Sequence, residues 1–205
     1  MDMLQSIGVL LGSSWSSGIN LYMTTATLGI AEKMHWLTLP ENMKVLSHPF
    51  VILVAILLYA IEFVADKIPF VDNVWDSIHT IIRPAGGAAL GYLAATPMGP
   101  SGQIPIAVLT GAIAASAHLT KATSRVAINS TSVPGTNIVA SVGEDASVGM
   151  MFFFIIKHPI IAGLIVVLFL IFAVWFLKKM FRFLRKIFGF MLRKDQAASS
   201  LSQSN

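Results

Sequence analysis

The chain contains no cysteine, so neither a disulfide framework nor a thiolate metal site can contribute to it. Charge is almost as scarce. Asp, Glu, Lys and Arg make up 12% of the 205 residues, against about a quarter in soluble domains. Hydrophobic residues make up 55%, which excludes an ordinary soluble globule and points to an integral membrane protein of one domain. The start, Met1-Asp-Met-Leu-Gln5, lacks a basic n-region and a small-x-small cleavage site, so no removable signal peptide is expected. The five histidines (His35, His48, His79, His118 and His158) show no paired spacing, so no metal site and no cofactor is expected. A net charge of +4 does not point to nucleic acid as a partner, because seven of the 14 basic residues lie in the last 28 positions beside an apolar run. They read as membrane-surface charge.

What is present is a series of apolar runs. Pro49 to Ala65 and Pro159 to Leu177 are the cleanest, each preceded by histidine, with proline at the first helical position where its missing N–H costs nothing. Arg83-Pro84 opens another run, and the turn Pro97-Met-Gly-Pro-Ser-Gly102 joins it to the run from Ile104. The reading is an all-α polytopic bundle with six spans at about 7–31, 49–66, 84–96, 104–128, 136–156 and 159–177. The apolar face of Phe70 to Ile82, opposite Asp72, Asp76 and His79, predicts a short interfacial helix over 70–82. Phe176 to Lys194 alternates apolar and basic residues, and residues 178–194 read as a basic helix on an anionic leaflet, through Lys178, Lys179, Arg182, Arg185 and Lys186. Residues 195–205 read as a disordered tail.

The distribution of basic residues decides the span count. With six spans, only Lys33, Lys44 and Lys157 face outward and the other 11 face the cytoplasm; with five, the division is 9 to 5. Six spans with both termini cytoplasmic, in a bacterial inner membrane, is the expectation. It puts Glu144-Asp145 inside the fifth span, where a charge costs roughly 2.5–3.5 kcal/mol on insertion scales. Similar residues recur at offsets of 84 (Ser17-Gly18, Ser101-Gly102) and 82 (Glu62, Glu144), suggesting a three-plus-three inverted repeat of the kind found in secondary transporters.

Three polar groupings are candidates for function. His118, Lys121 and Arg125 share one face of the fourth span, and Glu144 and Asp145 are the acids expected to neutralise them. Glu62 and Asp66 form an i, i+4 acidic pair one turn beyond Tyr59. Asn20, Thr24 and Thr27 give the first span a polar stripe, beside Tyr22. The stripes Gly87/Gly91/Ala95, Gly111/Ala115 and Gly18/Tyr22/Thr25/Gly29 predict close helix packing. The same polar groups could instead serve as static interhelical pairs. Gly99-Pro-Ser-Gly102 has the Gly-x-Ser-Gly form of rhomboid proteases, but Lys121 stands where a glycine belongs near His118, so no enzyme and no catalytic residue is expected.

Several of these segments carry a resemblance. Ser17-Gly-Ile-Asn-Leu-Tyr22, Glu62-Phe-Val-Ala-Asp-Lys-Ile-Pro69, Val71-Asp-Asn-Val-Trp-Asp76, His79-Thr-Ile-Ile-Arg-Pro-Ala-Gly-Gly87 and Asn137-Ile-Val-Ala-Ser-Val-Gly-Glu-Asp145 resemble the bacterial membrane proteins grouped as the domain-of-unknown-function family numbered 4126, over about residues 7 to 185. The resemblance implies a small multi-spanning membrane protein and no particular activity. From the residues, the expected function is a small transporter or permease with its pathway at Glu144, Asp145, Lys121, Arg125, His118, Glu62, Asp66, Asn20 and Tyr22. The alternative is a non-transporting scaffold or lipid-interacting protein. The expected partners are the bilayer, anionic lipids at the cytoplasmic face, a second copy of the chain and an unnamed small solute or proton, with no nucleic acid.

Overall fold

The computed structural model describes the backbone of residues 3–130 and 135–202, and the side chains of residues 6–68, 71–129, 135–183 and 185. It is all helical among the described residues: α1 (Met3–Ile19), α2 (Leu21–Lys33), α3 (Pro49–Ala65), α4 (Pro69–Ala94), α5 (Pro100–Ser130), α6 (Thr136–Lys157) and α7 (Pro159–Ser202), with 3-10 turns at Glu41–Ser47 and Thr96–Met98. Among the described residues three helices are long and apolar enough to cross a membrane, over Pro100–Asn129, Thr136–Lys157 and Pro159–Phe183; a fourth span arises if Glu41–Ser47 and α3, bent by 62°, count as one. The two prolines that follow histidine act as their positions predict. Pro49 starts α3 with the His48 ring accepting from the Phe50 N–H, and Pro159 starts α7.

The segment 7–31 is not one straight span. It breaks at Asn20, whose backbone is extended (φ −150°, ψ 99°) and whose side chain caps α2 by accepting from the Met23 N–H. Asparagine is among the best residues for that task. The chain then doubles back. Along α1, Gly8 packs on Pro159, Gly12 packs on Ile155 and Met151, and Asn20 bonds Asp145, so α1 runs antiparallel to α6. Along α2, Met23 lies by Gly149, and His35 and Trp36 share a cavity with Phe153, Ile156 and Lys157. α2 therefore runs parallel to α6, and α1–α2 is a helical hairpin with Asn20 at its tip. The expected inverted repeat finds no support in this arrangement, because the segment matched to this hairpin is α5, a single helix of 31 residues.

The interfacial helix over 70–82 and the span over 84–96 are likewise one element, the 26-residue α4 with Pro84 inside it. Neighbouring helices make an internal proline tolerable in a membrane bundle. The Asp72/Asp76/His79 face does not meet water: all three are buried, in line with Arg83. At the far end, α7 continues without a break through 178–194 and through 195–202, where composition suggests a disordered tail. Lys178, Lys179, Arg182 and Arg185 are exposed on it, while the side chain of Lys186 lies outside the described residues.

Helices pack most extensively where small residues meet. A Cβ on Gly91 would lie 2.1 Å from Thr110 Oγ1, and one on Gly87 would lie 2.5 Å from the Ala114 methyl, so α4 and α5 are in near backbone contact. Gly18 sets α1 on α5 in the same way, 2.2 Å from the Ala114 carbonyl oxygen if a Cβ is added. This packing brings the hairpin tip to the polar residues of α3, α4, α5 and α6.

Candidate functional site: a buried ion network at the hairpin tip

α5 presents Lys121 and Arg125 one turn apart on one face, both almost fully buried. Arg125 forks onto Glu144, with Nε to Oε1 at 2.8 Å and Nη2 to Oε2 at 2.7 Å. That bidentate geometry is specific to the guanidinium. Its Nη1 donates to the backbone oxygens of Asp66 (3.2 Å) and Asn137 (3.1 Å), tying α5 to the ends of α3 and α6. Lys121 behaves as a point charge among three acids: Asp66 at 2.9 Å, Glu144 at 3.3 Å and Glu62 at 3.7 Å. The two glutamates at an offset of 82 thus meet at one lysine.

α4 contributes a third cation. Arg83 Nη2 donates to Glu62 Oε1 at 2.8 Å, and its Nη1 lies 2.9 Å from His118 Nδ1 and 3.4 Å from Asp76 Oδ1. An Arg donor requires His118 Nδ1 to accept, which leaves the proton on Nε2, 3.1 Å from the Thr80 hydroxyl. His118 is therefore held as a neutral imidazole. His79 is bonded to the Trp75 carbonyl (2.8 Å) and to the Tyr22 hydroxyl (3.0 Å).

The helix break is matched to these charges. The C-terminal end of α1 exposes carbonyls with no partner inside the helix, and cations stabilise such an end. Arg83 Nη1 reaches the Gly18 oxygen and Lys121 Nζ the Ile19 oxygen, both at 3.4 Å. At the start of α2 the charge is opposite: Asp145 accepts from Asn20 Nδ2 (3.2 Å) and from the Tyr59 hydroxyl (3.1 Å). So the two halves of the broken helix are held by two cations and one carboxylate.

All nine expected pathway residues (Glu144, Asp145, Lys121, Arg125, His118, Glu62, Asp66, Asn20 and Tyr22) lie in or against this network. Asp145 differs from the expectation: it pairs with no cation within 4 Å among the described residues, and Glu144 alone meets Lys121 and Arg125. Arg83, Asp76, Asp72 and His79 belong to the network and were not among the candidates. Their spacing (72, 76, 79, 83) was the available signal, since it forms one continuous helical stripe. Ser101 and His118 stand 17 residues apart on α5, about 25 Å at 1.5 Å per residue, too far for a catalytic pair. Among the described residues no three His, Cys, Asp or Glu side chains gather as a metal ion's ligand set.

At the opposite end of the hairpin, an apolar cavity of about 330 Å³ is lined by Val9, Leu10, Ser13, Met43, Ala95 and Met98 among others. A face of serines on α1 (Ser13, Ser14, Ser16 and Ser17, all buried) runs from that cavity toward the ion network.

No curated protein and no solved structure matches this chain. The family described as "Domain of unknown function (DUF4126)" matches residues 7–179, taking in the hairpin, every member of the ion network and the start of α7 up to its first two lysines. The chain belongs to that family.

Proposed function

We propose that the protein is a small membrane transporter or permease whose pathway crosses the hairpin tip. The observation that carries this reading is the helix break at Asn20 inside a buried ion network. Non-helical backbone at membrane depth is tolerated where it is buried in protein or lines a pathway, and discontinuous helices with complementary charges mark ion and substrate sites in secondary transporters. A static pair needs one acid per cation. Here Arg83, Lys121 and Arg125 are surrounded by Glu62, Asp66, Asp72, Asp76, Glu144 and Asp145, twice as many acids. Such an excess serves exchange better than it serves rigidity.

The membrane arrangement that fits the hairpin has five spans, adding the more polar α4 to α3, α5, α6 and α7, and a re-entrant α1–α2. It keeps every loop on the side expected from the basic residues: Lys33, Lys44 and Lys157 outward, Lys67 and the basic stretch of α7 at the cytoplasmic face. Only the N-terminus changes side. The α7 residues Lys178, Lys179, Arg182 and Arg185 then meet anionic lipid, which anchors a transporter as readily as a scaffold.

Proteoliposomes carrying the purified protein test the reading. Flux of ions or small solutes driven by an imposed pH gradient should appear with wild type, and should fall at least tenfold in Glu144→Gln/Asp145→Asn while the variant remains folded. Absence of any flux across a broad panel, with the protein folded and oriented, removes the transporter reading and leaves the scaffold.

A further inference from the structure

We propose that Asp76 is the proton-binding residue of this site, and that its proton controls the hairpin through Arg83. The inference rests on the transport reading only for its consequence, since proton binding at Asp76 can be observed without flux.

The assignment follows from pairing the acids one by one. Glu144 has Arg125 on both oxygens, Asp66 has Lys121 at 2.9 Å, and Glu62 has Arg83 at 2.8 Å. Every cation is then committed, and Asp72, Asp76 and Asp145 are left. Asp145 is half-exposed and accepts two hydrogen bonds. Asp72 is fully buried, with Asn129 Nδ2 at 3.4 Å from Oδ2 and no hydrogen bond on Oδ1. Asp76 has no hydrogen bond to either oxygen and is 5% exposed. A carboxylate buried without a donor or a cation of its own neutralises rather than remain charged. Asp72 shares that burial but keeps one hydrogen bond, whereas Asp76 keeps none and of the two it alone lies against Arg83, so the proton is assigned to Asp76.

The groups around it make that proton consequential. On its own helix are Asp72, His79 and Arg83; facing it are Lys121 and His118 from α5, Asp66 and Glu62 from α3, and Glu144 from α6. Arg83 is the nearest, at 3.4 Å, and the same Nη1 also reaches the Gly18 carbonyl at the hairpin tip. When Asp76 gives its proton to water, the new carboxylate draws Nη1 away from that carbonyl. The α1 end loses one of its two cations, and the tip is released; when water returns a proton to Asp76, Arg83 resumes the clamp. A route to water is built into the same face. Asp72 sits one turn before Asp76, and beyond it Asn129 bonds the exposed Asn73 at 3.0 Å.

Infrared difference spectroscopy on the purified protein in liposomes reads the proton directly. At neutral pH wild type should show the carbonyl band of a protonated carboxylic acid. Asp76→Asn should lose it, while Asp145→Asn retains it. Should Asp76→Asn fail to fold, unmutated protein made with isotopically labelled aspartate keeps the question open to refutation: the band must shift. A band that persists in Asp76→Asn, or that shifts only with labelled glutamate, overturns the assignment. The link to the hairpin is read with one cysteine placed at Met23 in this cysteine-free chain. Relative to an exposed reference cysteine, its labelling should speed up several-fold on moving from acidic to alkaline pH, and Asp76→Asn should hold it at the acidic rate. An identical pH response with and without Asp76 overturns the coupling. Failure of either arm leaves the flux experiment untouched, and a silent flux assay leaves the proton assignment standing.

Discussion

Arg125 shows how much one side chain organises. It is fully buried, forks onto Glu144 and donates to two backbone oxygens, so removing it leaves Glu144 with Lys121 as its one cation and takes a donor from two carbonyls at once. Breaking a buried pair by deleting one partner costs about 3–5 kcal/mol, whereas deleting both costs much less. Arg125→Ala should therefore lower thermal stability in detergent sharply, and Arg125→Ala/Glu144→Ala should regain a substantial part. An additive double variant would show that the pair is not coupled. Arg125→Lys should fall between, because an ammonium cannot fork. This pair was legible in the sequence: Lys121 and Arg125 fall on one face by spacing, and Glu144 is an acid in an apolar run. Arg83 was not, because Arg-Pro reads as a helix start at an interface. Nor was the inward direction of Asp72, Asp76 and His79, since a polar stripe has the same period whether it faces water or a polar interior.

At the scale of the element, the hairpin depends on glycine against backbone. Gly18 lies where an added Cβ would meet the Ala114 carbonyl oxygen at 2.2 Å and the Ala117 methyl at 2.7 Å, and backbone cannot move aside as a side chain can. Gly18→Ala should destabilise by about 1–3 kcal/mol, the usual cost of overpacking, and should impair any flux through the site by displacing the carbonyl that Arg83 holds. Gly143→Ala is the control: that glycine, on an exposed face of α6, has nothing within 4 Å. It should be neutral or gain up to about 1 kcal/mol from helix propensity. Equal melting temperatures for the two variants would show that α1 does not seat on α5 as described. The glycine stripes could be read from the sequence as packing surfaces. The break at Asn20 could not, because apolar periodicity continues through it and only local capping chemistry marks the spot.

For the whole molecule, the hairpin changes one thing that charge distribution alone does not reveal. The first helix begins beside Pro159, and the second ends beside Lys157, so both ends of the hairpin lie at one end of the bundle. The basic stretch of α7 begins at the other, about a bilayer's hydrocarbon thickness away along a helix that rises 1.5 Å per residue. Because the first loop emerges on the same side whether the segment crosses or doubles back, the count of lysines and arginines per side is blind to the difference. The terminus is not. A reporter fused before Met1 and one fused after Asn205 should therefore lie on opposite faces of the membrane, the C-terminal one cytoplasmic. Impermeant thiol labelling gives an independent reading in a chain with no cysteine of its own: cysteines at Thr38 and in a tag fused before Met1 should label from one side, and a cysteine at Lys67 from the other. Both reporters on the cytoplasmic face would mean that α1 and α2 cross the bilayer in series. The tip at Asn20 would then be a kink in a sixth span, and the case for a re-entrant pathway element would fall with it.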